Sequence, residues 1–63
     1  MATQIEKLDV LLHYHGAEAS RARNGYDHSR TPIYRAKYQM DVDFHEAALR
    51  QLGTAINAIR DSK

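Results

Sequence analysis

Residues 31–60 read TPIYRAKYQMDVDFHEAALRQLGTAINAIR, and they hold the longest regular spacing of apolar side chains in the chain. Thr31 can accept a hydrogen bond from a free amide in the first turn of a helix, and Pro32 suits the first helical position. Six positions repeat at the spacing of a heptad seam: Val42, His45, Leu49, Leu52, Ile56 and Ile59. All of them except His45 are aliphatic. The stretch therefore predicts one long helix over about 31–61.

The same helix is apolar on a second side. A weaker stripe lies about a quarter-turn or more from the seam and consists of Ile33, Met40, Phe44, Ala47 or Ala48, Ala55 and Ala58. A helix with a wide apolar surface needs more than one neighbour. Alanine also suits exposed helical positions, so the aliphatic seam is the stronger of the two signals.

Another helix is predicted over about residues 3–24. Thr3 can cap its start, because Glu6 stands three residues further on, at the capping-box spacing. Its own seam begins with large side chains and ends with small ones, in the order Ile5, Leu8, Leu12, His15, Ala19 and Ala22.

The predicted connection between the helices is residues 25–30. Asn24-Gly25 is typical of a helix end, since glycine readily adopts the left-handed conformation that closes one. A six-residue connection joins antiparallel helices. The predicted fold class is therefore all-α, a two-helix antiparallel hairpin that forms a single domain over 1–63.

The predicted helix lengths do not match, which predicts a homodimer. The first predicted helix has about 20 residues and spans about 30 Å, and the second has about 29 residues and spans about 43 Å. Pairing about residues 25–30 sets Leu8 near His45 and leaves the last part of the long helix uncovered. The economical solution is a second copy, giving a four-helix bundle of two hairpins in parallel or antiparallel arrangement. The predicted dimer interface is Val42, Leu49, Leu52, Ile56 and Ile59.

Composition excludes several kinds of site. The chain has 63 residues and no cysteine, which excludes disulfides and thiolate metal sites. Its longest apolar run, 10–12, is far too short for a membrane span, so we expect a cytoplasmic location and no membrane contact. No catalytic constellation or glycine-rich phosphate loop is present, so we expect no enzyme activity, no cofactor and no small-molecule substrate.

Four histidines raise the question of a metal site. His13 and His15 are two residues apart and point to different sides of a helix, so they cannot share a metal ion. Since zinc sites need three or four ligands at close spacing, we expect none here. His15 and His45 stand at seam positions, where they either pack at the edge of the core or act as a pH-sensitive element.

Positive charge is concentrated in one segment. Residues 21–38 contain five cations and one carboxylate, a net charge of +4, whereas the rest of the chain carries −3. Arginine and tyrosine are common anchors at protein interfaces. The predicted partner-binding residues of this segment are Arg21, Arg23, Tyr26, Arg30, Tyr34, Arg35 and Tyr38.

The sequence favours a small non-enzymatic dimeric regulatory protein. It would bind another protein through this Arg/Tyr-rich segment and block or adapt it. One alternative is a nucleic-acid-binding dimer, because arginine can contact phosphates and tyrosine can stack on bases. Another is a structural subunit that docks through the stripe Leu52, Ile56 and Ile59.

In size and plan the chain resembles small plasmid- and phage-type helical hairpins that dimerise into four-helix bundles, among them RNA-binding regulators of copy number. The resemblance is one of architecture, without a shared motif, and architecture alone does not carry function.

Overall fold

The computed structural model describes residues 2–62 and contains two α-helices. Helix α1 is Gln4–His28 and helix α2 is Pro32–Asp61. They pack against each other along their length, and the described part of the chain has no strand. The predicted all-α hairpin is confirmed, while the ends of the predicted domain, residues 1 and 63, lie outside the described residues.

Both helices begin with the predicted caps. The backbone amide of Thr3 donates to Glu6 Oε1 at 3.0 Å, and the Glu6 amide donates to Thr3 Oγ1 at 3.1 Å, which completes a capping box. The hydrogen bond from the Thr3 backbone, followed by that from its side chain, holds the pKa of Glu6 below its usual value. At α2, Thr31 Oγ1 accepts from the Tyr34 amide at 3.4 Å, and Pro32 is the first helical residue.

Helix α1 does not end at residue 24, and the connection is 29–31 instead of 25–30. Gly25 has no positive φ and continues the helix. Its lack of a side chain serves close packing, because a Cβ there would lie 2.5 Å from Cε1 of Tyr38. The last turn is then held by His28, whose Nδ1 donates to the Asn24 carbonyl at 2.8 Å.

The longer α1 changes which residues pair between the helices. His15 lies beside His45, where the sequence placed Leu8. The shift is seven residues, one heptad, so the same faces still meet although the partners differ. Ile56 now falls level with the start of α1 and is only 5% exposed.

The prediction that the apolar stripe at the end of α2 is uncovered is therefore wrong. Helix α2 has 30 residues and α1 has 25, so α2 extends past its partner by about 7.5 Å, little more than one turn. Leu52 and Ile59 are half-buried and Ile56 is buried within one copy. The structural-subunit alternative loses the stripe on which it rested.

The core of the hairpin is a single thin seam. Its buried side chains are Ala19, Ala22, Val42 and Ile56. The molecule measures 49 × 20 × 12 Å, and 12 Å is about the diameter of one helix with its side chains. Each helix has one neighbour, so each can bury one side, and both flat sides of the hairpin face outward.

The packing of Gly25 on Tyr38 can be tested by comparing glycines. Gly53→Ala should raise the free energy of unfolding by about 0.5–1 kcal/mol, because alanine favours helix and a Cβ there meets no atom within 4 Å. Gly25→Ala should lower the melting temperature, since its methyl group displaces the Tyr38 ring. Thermal unfolding followed by circular dichroism measures both variants, and an equal gain at Gly25 would contradict the close contact.

Candidate protein-binding surfaces

The five cations of residues 21–38 do not form one patch. Arg21 and Arg23 are two residues apart on α1 and point to opposite sides of the hairpin. Arg21 pairs with Glu18 at 3.2 Å, and Arg23 pairs with Glu46 of α2. Neither guanidinium is therefore directed at the tip, the end of the hairpin formed by residues 28–34.

The charge separation along the sequence is largely cancelled in space. Lys37 pairs with Asp41 at 3.3 Å, so three of the five cations in 21–38 are matched by carboxylates from outside that segment. Exposed ion pairs add little stability, but they remove the local positive field that a phosphate would sense. This arrangement weakens the nucleic-acid alternative.

Two of the predicted tyrosines have packing roles. Tyr26 is half-buried, and the Arg35 guanidinium lies 5.3 Å from its ring centroid. Tyr38 is half-buried against Gly25, with the Lys37 ammonium 4.8 Å from its ring centroid. The Arg35–Tyr26 contact joins α2 to α1 near the tip, whereas Lys37 and Tyr38 are neighbours on α2.

Arg30 and Tyr34 remain available at the tip. Arg30 is exposed and makes no ion pair within residues 2–62, and Tyr34 is 60% exposed. They line an open cleft of about 370 Å³. The other residues of the cleft are Gly25, His28, Ser29, Thr31 and Tyr38. Of the seven predicted partner-binding residues, the structure thus brings Arg30, Tyr34 and Tyr38 together at the cleft.

A histidine pair joins the middle of the two helices. The Nδ1 atoms of His15 and His45 are 2.8 Å apart, so one Nδ1 donates a hydrogen bond and the other accepts it. The rings of Tyr14 and Phe44 meet this pair edge-on, with centroids 5.0–6.3 Å away. Within residues 2–62, no three histidine or carboxylate side chains are placed to hold a metal ion.

Tyr14 and Phe44 lie on the same side of the hairpin. Each precedes a histidine of the pair by one residue, a rotation of about 100° about its helix. In an antiparallel pair the same sense of rotation leads to the same side. The contacts agree, because the Tyr14 ring lies 6.3 Å from the His45 ring and the Phe44 ring lies 6.0 Å from the His15 ring.

The same rotation places six of the seven exposed large apolar side chains of residues 2–62 on this side. We call it the apolar face, and its members are Val10, Leu11, Tyr14, Ile33, Met40 and Phe44. Tyr34 precedes His45 by eleven residues, a rotation of about 20°, so it points along the seam at the tip and does not belong to this face. A cluster of this size on one side of a small protein marks an interaction surface. The sequence pattern indicated the α2 part of the face through the stripe of Ile33, Met40 and Phe44.

The α1 part of the apolar face was missed in the sequence. Val10, Leu11 and Tyr14 lie beside the predicted seam, and their spacing of one and four residues is the signal that identifies them as neighbours on a helix. The heptad pattern of this helix indicates Leu8 and Leu12 as its buried residues instead.

The opposite side, the polar face, carries hydrophilic side chains. The Arg23–Glu46 ion pair lies there, and Gln39 Nε2 donates to Asp43 Oδ1 at 2.8 Å nearby. Gly53 also faces this side, where a Cβ would meet open space. The exposed large apolar side chains thus distinguish the two flat sides, although the ion pairs Glu18–Arg21 and Lys37–Asp41 lie on the side of the apolar face.

The predicted dimer interface needs correction at two positions. Val42 and Ile56 are buried between the two helices of one copy, so they offer no surface to a second copy. Leu49, Leu52 and Ile59 are half-buried in the same seam. A heptad seam identifies the side on which a helix packs, but it does not say whether the neighbour belongs to the same chain.

No protein-family model, curated protein or solved structure matches the chain. Neither helix, over residues 2–62, combines the length and the mean hydropathy that crossing a membrane requires. The candidate protein-binding surfaces of the hairpin are the tip and the apolar face.

Glu18, Arg21, Lys37 and Asp41 line a small cleft beside His45. The two carboxylates of this cleft pair with Arg21 and Lys37.

Proposed function

We propose that this chain is a small non-enzymatic regulatory protein that acts as a homodimer and binds a partner protein through its tip. The observation that carries the proposal is the pair Arg30 and Tyr34, exposed side by side on an open cleft while the neighbouring cations are paired or stacked. Arginine and tyrosine supply much of the binding energy at protein interfaces. The cytoplasmic location expected from the sequence belongs to the same proposal.

The tip fits an acidic surface on its partner. Arg30 can form a two-pronged hydrogen bond with a carboxylate, and Tyr34 offers a flat apolar ring with a polar end. Since Thr31 and Pro32 fix the start of α2, the Tyr34 side chain is held at a defined place on the first turn. A rigid anchor loses little entropy on binding, which favours blocking or adapting a partner by occupying its surface.

A protein partner is favoured over nucleic acid by the state of the arginines. Binding to a phosphate backbone requires several free cations along a track. Arg21 and Arg23 point to opposite sides and are paired, and Arg35 is stacked on Tyr26. At the tip, the unpaired Arg30 and the exposed Tyr34 suit a compact protein contact better than an extended strand.

The tip can be tested by site-specific photo-crosslinking in the cells from which the chain comes. A benzophenone amino acid at position 34 should give a discrete adduct with one protein, and the same group at position 57, an exposed site away from the tip, should not. The adduct should be lost in the variant Arg30→Glu, because the carboxylate repels an acidic partner. Equal adducts at positions 34 and 57, or none at either, would contradict binding at the tip.

Oligonucleotide binding separates the two kinds of partner. We expect a fluorescent 20-nucleotide single strand to bind weakly at 150 mM salt, with a dissociation constant above about 100 μM. The salt slope should correspond to about one phosphate contact, because Arg30 is the cation of the tip and makes no ion pair within residues 2–62. Anisotropy titrations at three salt concentrations measure both quantities. Submicromolar binding with a slope of four or more would favour the nucleic-acid alternative instead.

A further inference from the structure

We propose that the apolar face is covered by a second copy of this chain, with the tips of the two copies at opposite ends of the dimer. This inference rests on the dimer of the proposed function and specifies its surface and orientation. It replaces the interface expected from the heptad seam, which the hairpin uses internally.

The flat side that carries the apolar face has the area that a stable dimer needs. The side of the hairpin measures 49 by 20 Å, a projected area of about 980 Å². Stable interfaces bury about 800 Å² on each partner. A second hairpin lying along the full length of the face therefore supplies enough contact, and the exposed apolar side chains supply the hydrophobic part of it.

Helix α2 carries both a projection and a groove of matching character along the outer edge of the apolar face. Met40 is 71% exposed and stands out from α2. Further along the same helix lies a shallow groove of about 360 Å³, lined by Arg50, Gln51, Thr54, Ala55 and Ala58. Small residues that form a groove accept a flexible methionine side chain well.

The spacing of these two features fits a two-fold axis. Met40 and Ala55 are 15 residues apart, about 22 Å along the helix, and the midpoint falls at residues 47–48. The midpoint of α2 is at residues 46–47. In a symmetric dimer each copy inserts its own Met40 into the other's groove. The axis then passes near the middle of α2, so the two hairpins overlap almost completely.

This symmetry requires the tips to point in opposite directions. With the tips at opposite ends, α2 lies on the partner's α2, and the Met40 half of one copy meets the alanine half of the other. With both tips at one end, α2 would lie on the partner's α1. Met40 would then meet the half of α1 that carries the Glu18–Arg21 ion pair.

The arrangement has a consequence for function. Helix α2 is about 45 Å long, so two overlapping copies hold their Arg30/Tyr34 tips about 45 Å apart. The dimer can then bind two partner molecules, or two sites of one assembly, at a fixed separation.

The contact between Met40 and Ala55 can be tested by exchanging charges. Met40→Glu alone and Ala55→Lys alone should each weaken dimerisation about 100-fold, because each places an unpaired charge in the interface. The double variant M40E/A55K should recover most of the affinity, since the two residues are too far apart to meet within one copy. Gln39→Glu with Asn57→Lys, away from the apolar face, is the matched control and should not change dimerisation.

Sedimentation equilibrium on the full chain measures the affinities, and circular dichroism confirms that each variant keeps its helices. Orientation is measured independently on an otherwise wild-type chain with a spin label at Asn24→Cys, since the chain has no cysteine of its own. The exposed Asn24 lies near the tip, so pulsed dipolar spectroscopy should give a label separation above about 35 Å for opposite tips.

The outcomes separate this inference from the proposed function. A dimer that is unaffected by the Met40 and Ala55 substitutions, or labels within about 25 Å, overturns the inference and leaves the dimer of the proposed function standing. A wild-type chain that stays at its monomer mass of 7.2 kDa at all concentrations overturns both the dimer and the inference. In that case the apolar face belongs to a different protein.

Discussion

The close packing of α1 on α2 at Gly25 decides much of the rest of this hairpin. Because Gly25 carries no side chain, the Tyr38 ring fits against α1 and the helix continues to His28. The connection then shrinks to three residues, and the pairing of the helices moves by one heptad. His15 consequently meets His45, and Ile56 is covered by the start of α1 instead of remaining free for another chain.

Two helices alone bury one side of each, and this limit produces the difference between the two flat sides of the molecule. The seam uses alanine near the tip and larger side chains further away, which brings the helices close at Ala19 and Ala22. Carboxylates of both helices pair with Arg21, Arg23 and Lys37. What remains unmatched is specific: one apolar face, and the Arg30 and Tyr34 side chains at the end of the hairpin.

Much of the fold could be predicted from the sequence, because periodicity and caps are local signals. Thr3 with Glu6, and Thr31 with Pro32, mark both helix starts correctly. The end of α1 could not be predicted, since glycine serves equally as a helix end or as a site of close approach, and only the distant Tyr38 decides between them. The free positive charge of residues 21–38 was overestimated for a similar reason. Glu46 pairs with Arg23 from the other helix, and Asp41 pairs with Lys37 from just outside the segment. Counting charges within the segment misses both carboxylates.

Nuclear Overhauser effects on the isotope-labelled chain test the pairing of the two helices in solution most directly. The packing of α1 on α2 predicts cross-peaks between the Gly25 α protons and the Tyr38 ring, and between the imidazole protons of His15 and His45. Cross-peaks from Leu8 to His45, together with non-helical chemical shifts over residues 25–28, would contradict it. They would restore the shorter first helix and the exposed stripe at the end of the second.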